Sequence, residues 1–264
     1  MMAKENLLIT MRPAKDVDLG RFLMAHYEVP YKERPHAPVF HVLALKFWGY
    51  GDRGYPLFVR AKDKAQFSRN GPIWGELDPP EGDPKNLWPD PMNSPSAFSE
   101  VHELQYYIRR VVGKSVVAWS YFNLLQHKKV VWTSITTGVP WYEKLVCYLA
   151  FPLIRKLMYL GLGLSQEVAD KAIDHIYEGF DRIDGILADG RQYLVADRLT
   201  FADLALATSF GPMILAQGYA GCLPDQAACP DHMQKVYKEL RQRPTGQLIQ
   251  RIYDLHRPAK QVRG

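Results

Sequence analysis

Residues Tyr193 to Ala207 read YLVADRLTFADLALA. Within this stretch Thr200-Phe201-Ala202-Asp203 sets a hydroxyl where a helix N-cap belongs and a carboxylate three residues on, an arrangement that satisfies two amides without intrahelical partners. The spacing predicts a helix that starts at Thr200 and runs to Phe210. Leu204, Ala205, Leu206 and Ala207 follow, so the Asp203 carboxylate enters an apolar segment, where a charge is tolerated only when hydrogen-bonded. Asp203 is therefore read as structural. The tetrad alone equally describes an ordinary capped helix.

The chain of 264 residues is long enough for one large domain or two modest ones. With 47% hydrophobic and 23% charged residues, its composition is that of a soluble globular protein. A net charge of +5 and a pI near 9.0 favour anionic ligands without naming one. The basic residues form scattered pairs (Arg109-Arg110, Lys128-Lys129, Arg155-Lys156) and a tail from Arg257 to Arg263, with no nucleic-acid-binding module, so no nucleic acid is expected as a partner.

Cys147, Cys222 and Cys229 make no CxxC pair and leave one over, which argues against a disulfide framework and for a reducing, cytoplasmic location. The opening MMAKENLLITMRP has an acidic Glu5 and too short an apolar run for a signal peptide. Val130 to Leu164 is the most apolar region. Glu143, Lys144, Arg155 and Lys156 interrupt it well short of the ~20 residues a membrane-spanning helix needs. Trp141, Tyr142 and Tyr148 within it are read as buried packing or a ligand pocket ahead of a membrane-surface contact, which is the third and weaker alternative for Val130 to Leu164.

In chain order, Leu7 to Met11 reads as a strand ended by Pro13. A helix from Asp16 carries Leu19, Phe22, Leu23 and His26 on one face. A second strand at Tyr31 to Glu33 and a helical or irregular segment at Val39 to Trp48 follow. Gly54 to Val59 is a strand with Pro56 at its opening, a position that need not donate to the ladder. Ala65 to Ser68 pairs back as a hairpin, and Asn70 to Leu77 suits a short helix. Residues 79–98 hold six prolines, as a linker between domains should. Beyond it the text is helical: Ser99 to Gln126, Pro140 to Leu160 with a kink at Pro152, Gln166 to Ala188, the Thr200 helix, Asp231 to Arg241 and Thr245 to His256.

The stretch from Tyr193 resembles the YL-x-G-D-x-x-T-x-A-D signature that begins the core helix of the all-α domain of glutathione S-transferases, with Ala196 in place of the usual glycine. The β-α-β then β-β-α order of residues 1–78 resembles the thioredoxin-like N-terminal domain of that family, and the Arg243-Pro244-Thr245-Gly246 turn resembles one found near the end of such chains. The resemblance implies an α/β thioredoxin-like domain (1–78), a Pro-rich linker (79–98) and an all-helical bundle domain (99–264). It implies glutathione as co-substrate, transferred to a small apolar electrophile, no metal, and a homodimer, as related proteins often are. It also implies a cis bond before Pro56, with Tyr55 binding the cysteinyl backbone of glutathione as an added strand.

Two departures from the family pattern bear on activity. Transferases lower the thiol pKa of glutathione with a donor at the first strand-to-helix turn, so that the nucleophilic thiolate is populated near neutral pH. Thr10 to Asp16 holds no Tyr, Ser or Cys. Arg12 is the first candidate for stabilising a thiolate and Thr10, the only hydroxyl, the second; Arg12 and Lys15 equally suit a solvated surface. At the γ-glutamyl end the family's acidic residue and serine are replaced by Arg69 and Asn70. Asn70 can cap and donate, whereas Arg69 can pair with a carboxylate but cannot accept from an amine. Tyr106, Tyr107, Trp119, Tyr121 and Phe122 of the long helix are candidates to line a pocket for the apolar co-substrate, Tyr107 and Trp119 first among them. A non-catalytic protein that uses the same scaffold to bind a ligand or a partner is the alternative. The eight histidines form no HExxH or Cys/His cluster, His36 and His41 make no convincing metal pair, and there is no P-loop or GxSxG.

Overall fold

A computed structural model describes residues 5–51, 54–80 and 82–257. The N-terminal part runs β1 (Leu7–Met11), α1 (Lys15–His26), β2 (Lys32–His36), α2 (Phe40–Phe47), β3 (Leu57–Val59), β4 (Gln66–Ser68) and α3 (Asn70–Leu77). The sheet order is β2-β1-β3-β4, with β2 parallel to β1 and the other pairs antiparallel, which is the thioredoxin-like half expected from the resemblance. β1 is central and wholly buried, as its uninterrupted apolar run requires. β2 starts one residue and ends three residues later than the expected strand; Pro35 lies within it and is tolerated because β2 is an edge strand. The Tyr55-Pro56 bond is cis.

The helical part comprises α4 (Pro95–Tyr106), a π-turn (Tyr107–Val112), α5 (Gly113–Leu124), α6 (Lys128–Thr136), α7 (Trp141–Leu149), α8 (Phe151–Leu162), α9 (Gln166–Leu187), α10 (Phe201–Ile214), α11 (Asp231–Gln242) and α12 (Pro244–His256). The single long helix expected over Ser99 to Gln126 is thus two helices joined by a π-turn. α10 is the centre, packed against α1, α4, α5, α11 and α12. Its capping box is formed as read: Thr200 N and Oγ1 donate to Asp203 Oδ2 at 2.8 and 2.7 Å, and Leu194 N donates to Oδ1 at 2.8 Å.

The helix continues past Phe210 through Gly211 and Pro212 to Ile214. Burial of almost every residue outweighs one missing hydrogen bond near its end. Ala196, in place of the family's glycine, adopts the left-handed φ of 60° that glycine would take freely. The middle of the Pro-rich segment is docked on the start of α10. Leu87 is buried and its carbonyl accepts from Phe201 N at 2.9 Å, while Trp88 stacks on Phe201 with centroids 5.5 Å apart.

Pro152 breaks the Pro140 to Leu160 segment as expected, and α7 and α8 meet at 89°. The reading of Trp141, Tyr142 and Tyr148 as buried is overturned: all three are exposed. The bundle is already closed by α5, α9 and α10, and only the Glu143, Cys147, Phe151, Ile154 and Met158 side of the pair reaches it.

Candidate functional site

The start of α1 gathers most of the residues singled out in the sequence. Ala14 caps the helix without a side-chain bond, and Lys15 and Asp16 form its first turn. Lys15 is buried. Its stem passes over Gly113 of α5: an added Cβ there would lie 3.1 Å from Lys15 Cε and 2.9 Å from Ile108 O, and the rigid carbonyl is what disfavours a side chain. Lys15 Nζ donates to Asp16 Oδ2 at 3.2 Å, and Arg109 Nη2 reaches Asp16 Oδ1 at 3.3 Å. Burial pushes the Lys15 ammonium below the usual lysine range despite Asp16. Burial works against the Asp16 carboxylate too, but Lys15 and Arg109 outweigh it and hold that group below its ordinary value.

Next to this turn stand cis-Pro56 and the opening of α3. A Cβ at Gly20 would meet Pro56 Cγ at 2.8 Å and Asn70 Oδ1 at 3.2 Å, so α1, the proline and Asn70 are in direct contact. Asn70 is buried and its Nδ2 donates to Asp16 O at 2.8 Å, which pins α3 to α1; its Oδ1 is buried without a partner. Arg69 is exposed and has a left-handed φ of 69°. Tyr55 is half-buried against Met11, Ala14 and Val17.

The two thiol-activation candidates lie elsewhere on the turn. Thr10 is fully buried in β1 and donates to Glu33 Oε1 at 2.7 Å, so its hydroxyl is committed. Arg12 turns toward the α6–α7 loop, with Nη1 donating to Thr137 O at 3.3 Å. Gly138 accommodates it: a Cβ there would lie 2.5 Å from Arg12 Nη1. Arg12 Nε is buried without a partner.

Trp119 is buried in the bundle, edge-on to Tyr237 and His232, and Tyr107 lies beneath the Arg182 guanidinium at 4.2 Å. The contacts of both are with the bundle. Tyr121 lies close to Tyr55 and Tyr219. Its hydroxyl is buried without a hydrogen-bond partner, and burial, with Tyr55 close by, pushes it well above the ordinary tyrosine range. It therefore stays protonated, with a hydrogen to donate. Tyr219 closes the far side and donates to Pro13 O at 3.3 Å.

Sequence periodicity could not separate these rings. Trp119 and Tyr121, two residues apart, point about 200° apart around a helix, and the π-turn resets the phase between Tyr107 and both. The nearest signal was Tyr121's place among the five aromatics of the long helix. Asp16 carried no signal of its own. Among the described residues no group of histidine, cysteine and carboxylate side chains could hold a metal ion.

The glutathione S-transferase C-terminal domain family matches residues 166–239. No curated protein sequence matches the chain. Among solved structures, the chain resembles glutathione transferase GSTFuA3 from Phanerochaete chrysosporium, at 14% identity and a TM-score of 0.60 over 96% of this chain and 97% of that one. It resembles β-etherase LigF from Sphingobium sp. strain SYK-6, at 14% identity and a TM-score of 0.55 over 93% and 98%. A glutathione S-transferase from Methylobacillus flagellatus KT, solved with glutathione bound, matches at 14% identity and a TM-score of 0.51 over 92% and 98%.

Proposed function

From the glutathione S-transferase-like architecture of this chain, we propose that it binds glutathione at the start of α1 and conjugates it, through its thiolate sulfur, to a small apolar electrophile. The observation that carries this reading is the Tyr121 hydroxyl, protonated, buried and unpartnered beside Tyr55. A thiolate needs a donor with a hydrogen to give, and here the helical domain supplies what the β1–α1 turn lacks. Lys15 contributes positive charge at the same turn, while Arg12 is held against Thr137. The cysteinyl backbone of the ligand pairs with Tyr55 ahead of cis-Pro56. Its γ-glutamyl carboxylate meets the opening of α3 and Arg69, and the Asp16 carboxylate accepts from the γ-glutamyl amine, which Arg69 cannot do.

Calorimetric titration with glutathione at neutral pH tests the binding. A ligand at 100 times its Kd stabilises the native state by about 2.7 kcal/mol, so heat and a raised melting temperature are expected together. Their absence at millimolar glutathione would end the proposal. Tyr121→Phe is expected to raise the pKa of the bound thiol by about one unit and to lower kcat/KM about tenfold, while leaving the affinity for S-methylglutathione unchanged. An unaltered thiol titration removes Tyr121 from the mechanism.

The committed Thr10 hydroxyl and the Arg12 to Thr137 bond favour a second reading, a ligand-binding protein without transferase activity. Glutathione binding with no conjugation of 1-chloro-2,4-dinitrobenzene is its expected result.

A further inference from the structure

More than half of the exposed large apolar side chains among the described residues fall within residues 141–162, the α7–α8 pair. Trp141 is 74% exposed, Tyr148 60%, Leu149 71% and Leu160 70%. Scattered surface leucines need no explanation, but an apolar face this continuous does. Neither helix is long enough to cross a bilayer: 9 and 12 residues make about 13 and 18 Å, and the pair turns by 89° between them. The shape is an elbow that can lie flat on a surface.

Charge distinguishes the possible occupants. Glu143, the one acid in the pair, is buried and turned inward, where it accepts from His36 Nδ1 at 2.7 Å and Ala37 N at 2.8 Å. Every exposed charge left on α7 and α8, on Lys144, Arg155 and Lys156, is positive. A second copy of this chain would set these cations against themselves across a two-fold axis with no exposed carboxylate of the pair to meet them. A surface of anionic lipid has the complementary charge. It also suits tryptophan and tyrosine, whose rings favour the headgroup level.

The elbow is held in shape. Lys128 Nζ donates to Tyr148 O at 3.0 Å and lies over the Tyr148 ring at 4.1 Å and the Phe151 ring at 5.4 Å, bridging the end of α7 to the start of α8. Beside it is a recess of about 540 Å³ lined by Gln126, Pro152, Arg155, Lys156 and Tyr159; the Tyr159 hydroxyl is committed to Phe122 O at 2.8 Å, and the Arg155 and Lys156 cations are what the recess offers a phosphate headgroup.

The geometry points to α7–α8 as a docking surface for anionic membranes, with the apolar elbow at the acyl boundary and Arg155 and Lys156 on lipid phosphates. The test is flotation of the full chain with vesicles of phosphatidylcholine mixed with phosphatidylglycerol, against phosphatidylcholine alone. Binding to the anionic vesicles, weakened by salt, is expected. Arg155→Glu combined with Lys156→Glu is expected to lower the partition coefficient by about tenfold or more, and Leu149→Glu to lower it as well, with circular dichroism and melting unchanged. A chain that stays in solution with both vesicles overturns the proposal. So does equal binding to both vesicle types, or a dimer in sedimentation that Leu149→Glu dissociates while anionic vesicles bind nothing.

Discussion

Asp18→Ala is expected to destabilise the protein by about 3–5 kcal/mol, measured as a lowered urea midpoint at unchanged slope. Asp18, on α1, is completely buried. Its carboxylate accepts from Tyr253 OH of α12 at 2.7 Å, from Arg257 Nη1 at 2.9 Å and from Ala220 N at 3.1 Å, and Arg21 Nη1 is 3.6 Å away. Arg21 is buried as well and clamps Glu33 of β2 through Nε and Nη2. These contacts tie the thioredoxin-like half to the last helix of the bundle.

Removing the carboxylate leaves the Arg257 guanidinium buried without a counter-charge and the Ala220 amide without an acceptor. The desolvation of both groups then goes uncompensated. Asp18→Asn, which keeps an acceptor, is expected to recover part of the loss. Arg257→Ala should overlap with Asp18→Ala rather than add to it, giving a coupling above about 1 kcal/mol in a double-mutant cycle. Strict additivity would show that the two halves are held together by other contacts.

Asp203→Ala is expected to cost about 3 kcal/mol at neutral pH, because it strips the acceptor from two buried amides, Leu194 N and Thr200 N, and from the Thr200 hydroxyl. Burial pushes the Asp203 carboxyl up to about 6 against the pull of those three donors. The sign of the pH dependence follows from that elevation. The folded chain holds the proton more tightly than the unfolded one, so the stability from this linkage is fully present below about pH 4 and is lost as pH rises through 6. The gap in unfolding free energy between wild type and Asp203→Ala should therefore be wider at pH 4.5 than at pH 7.5. A gap that narrows on acidification would mean that the donors prevail over burial and keep the carboxyl low.

The helices and strands were legible where a local signal was strong. β1 has an apolar run, α9 an unbroken three-four spacing, and α10 a capping box, and each lies where its pattern put it. The end of α10 was not legible, because Gly211-Pro212 is a stop signal that only burial by α1, α11 and α12 overrides. The break at the π-turn was hidden for a similar reason: apolar spacing continues through it although the helix phase does not.

By itself the sequence determined the order of strands and helices and the role of Asp203, because each depends on residues within a few positions of one another; the thioredoxin-like arrangement of the strands was what the family resemblance implied. Which side chains meet at the start of α1 was decided by the tertiary structure alone. Thr10 and Arg12 were named for their place in the turn, yet pairing of β1 with β2 delivers Thr10 to Glu33, and the α6–α7 loop captures Arg12. Lys15, Asp16, Asn70, Arg109 and Tyr121 come from α1, α3, the π-turn and α5, and the charge balance around Asp16 exists only once α1 has docked on the bundle. The same holds for Tyr193 to Ala207: its local code fixes a helix, and the packing of that helix against α1 joins the N-terminal part to the bundle.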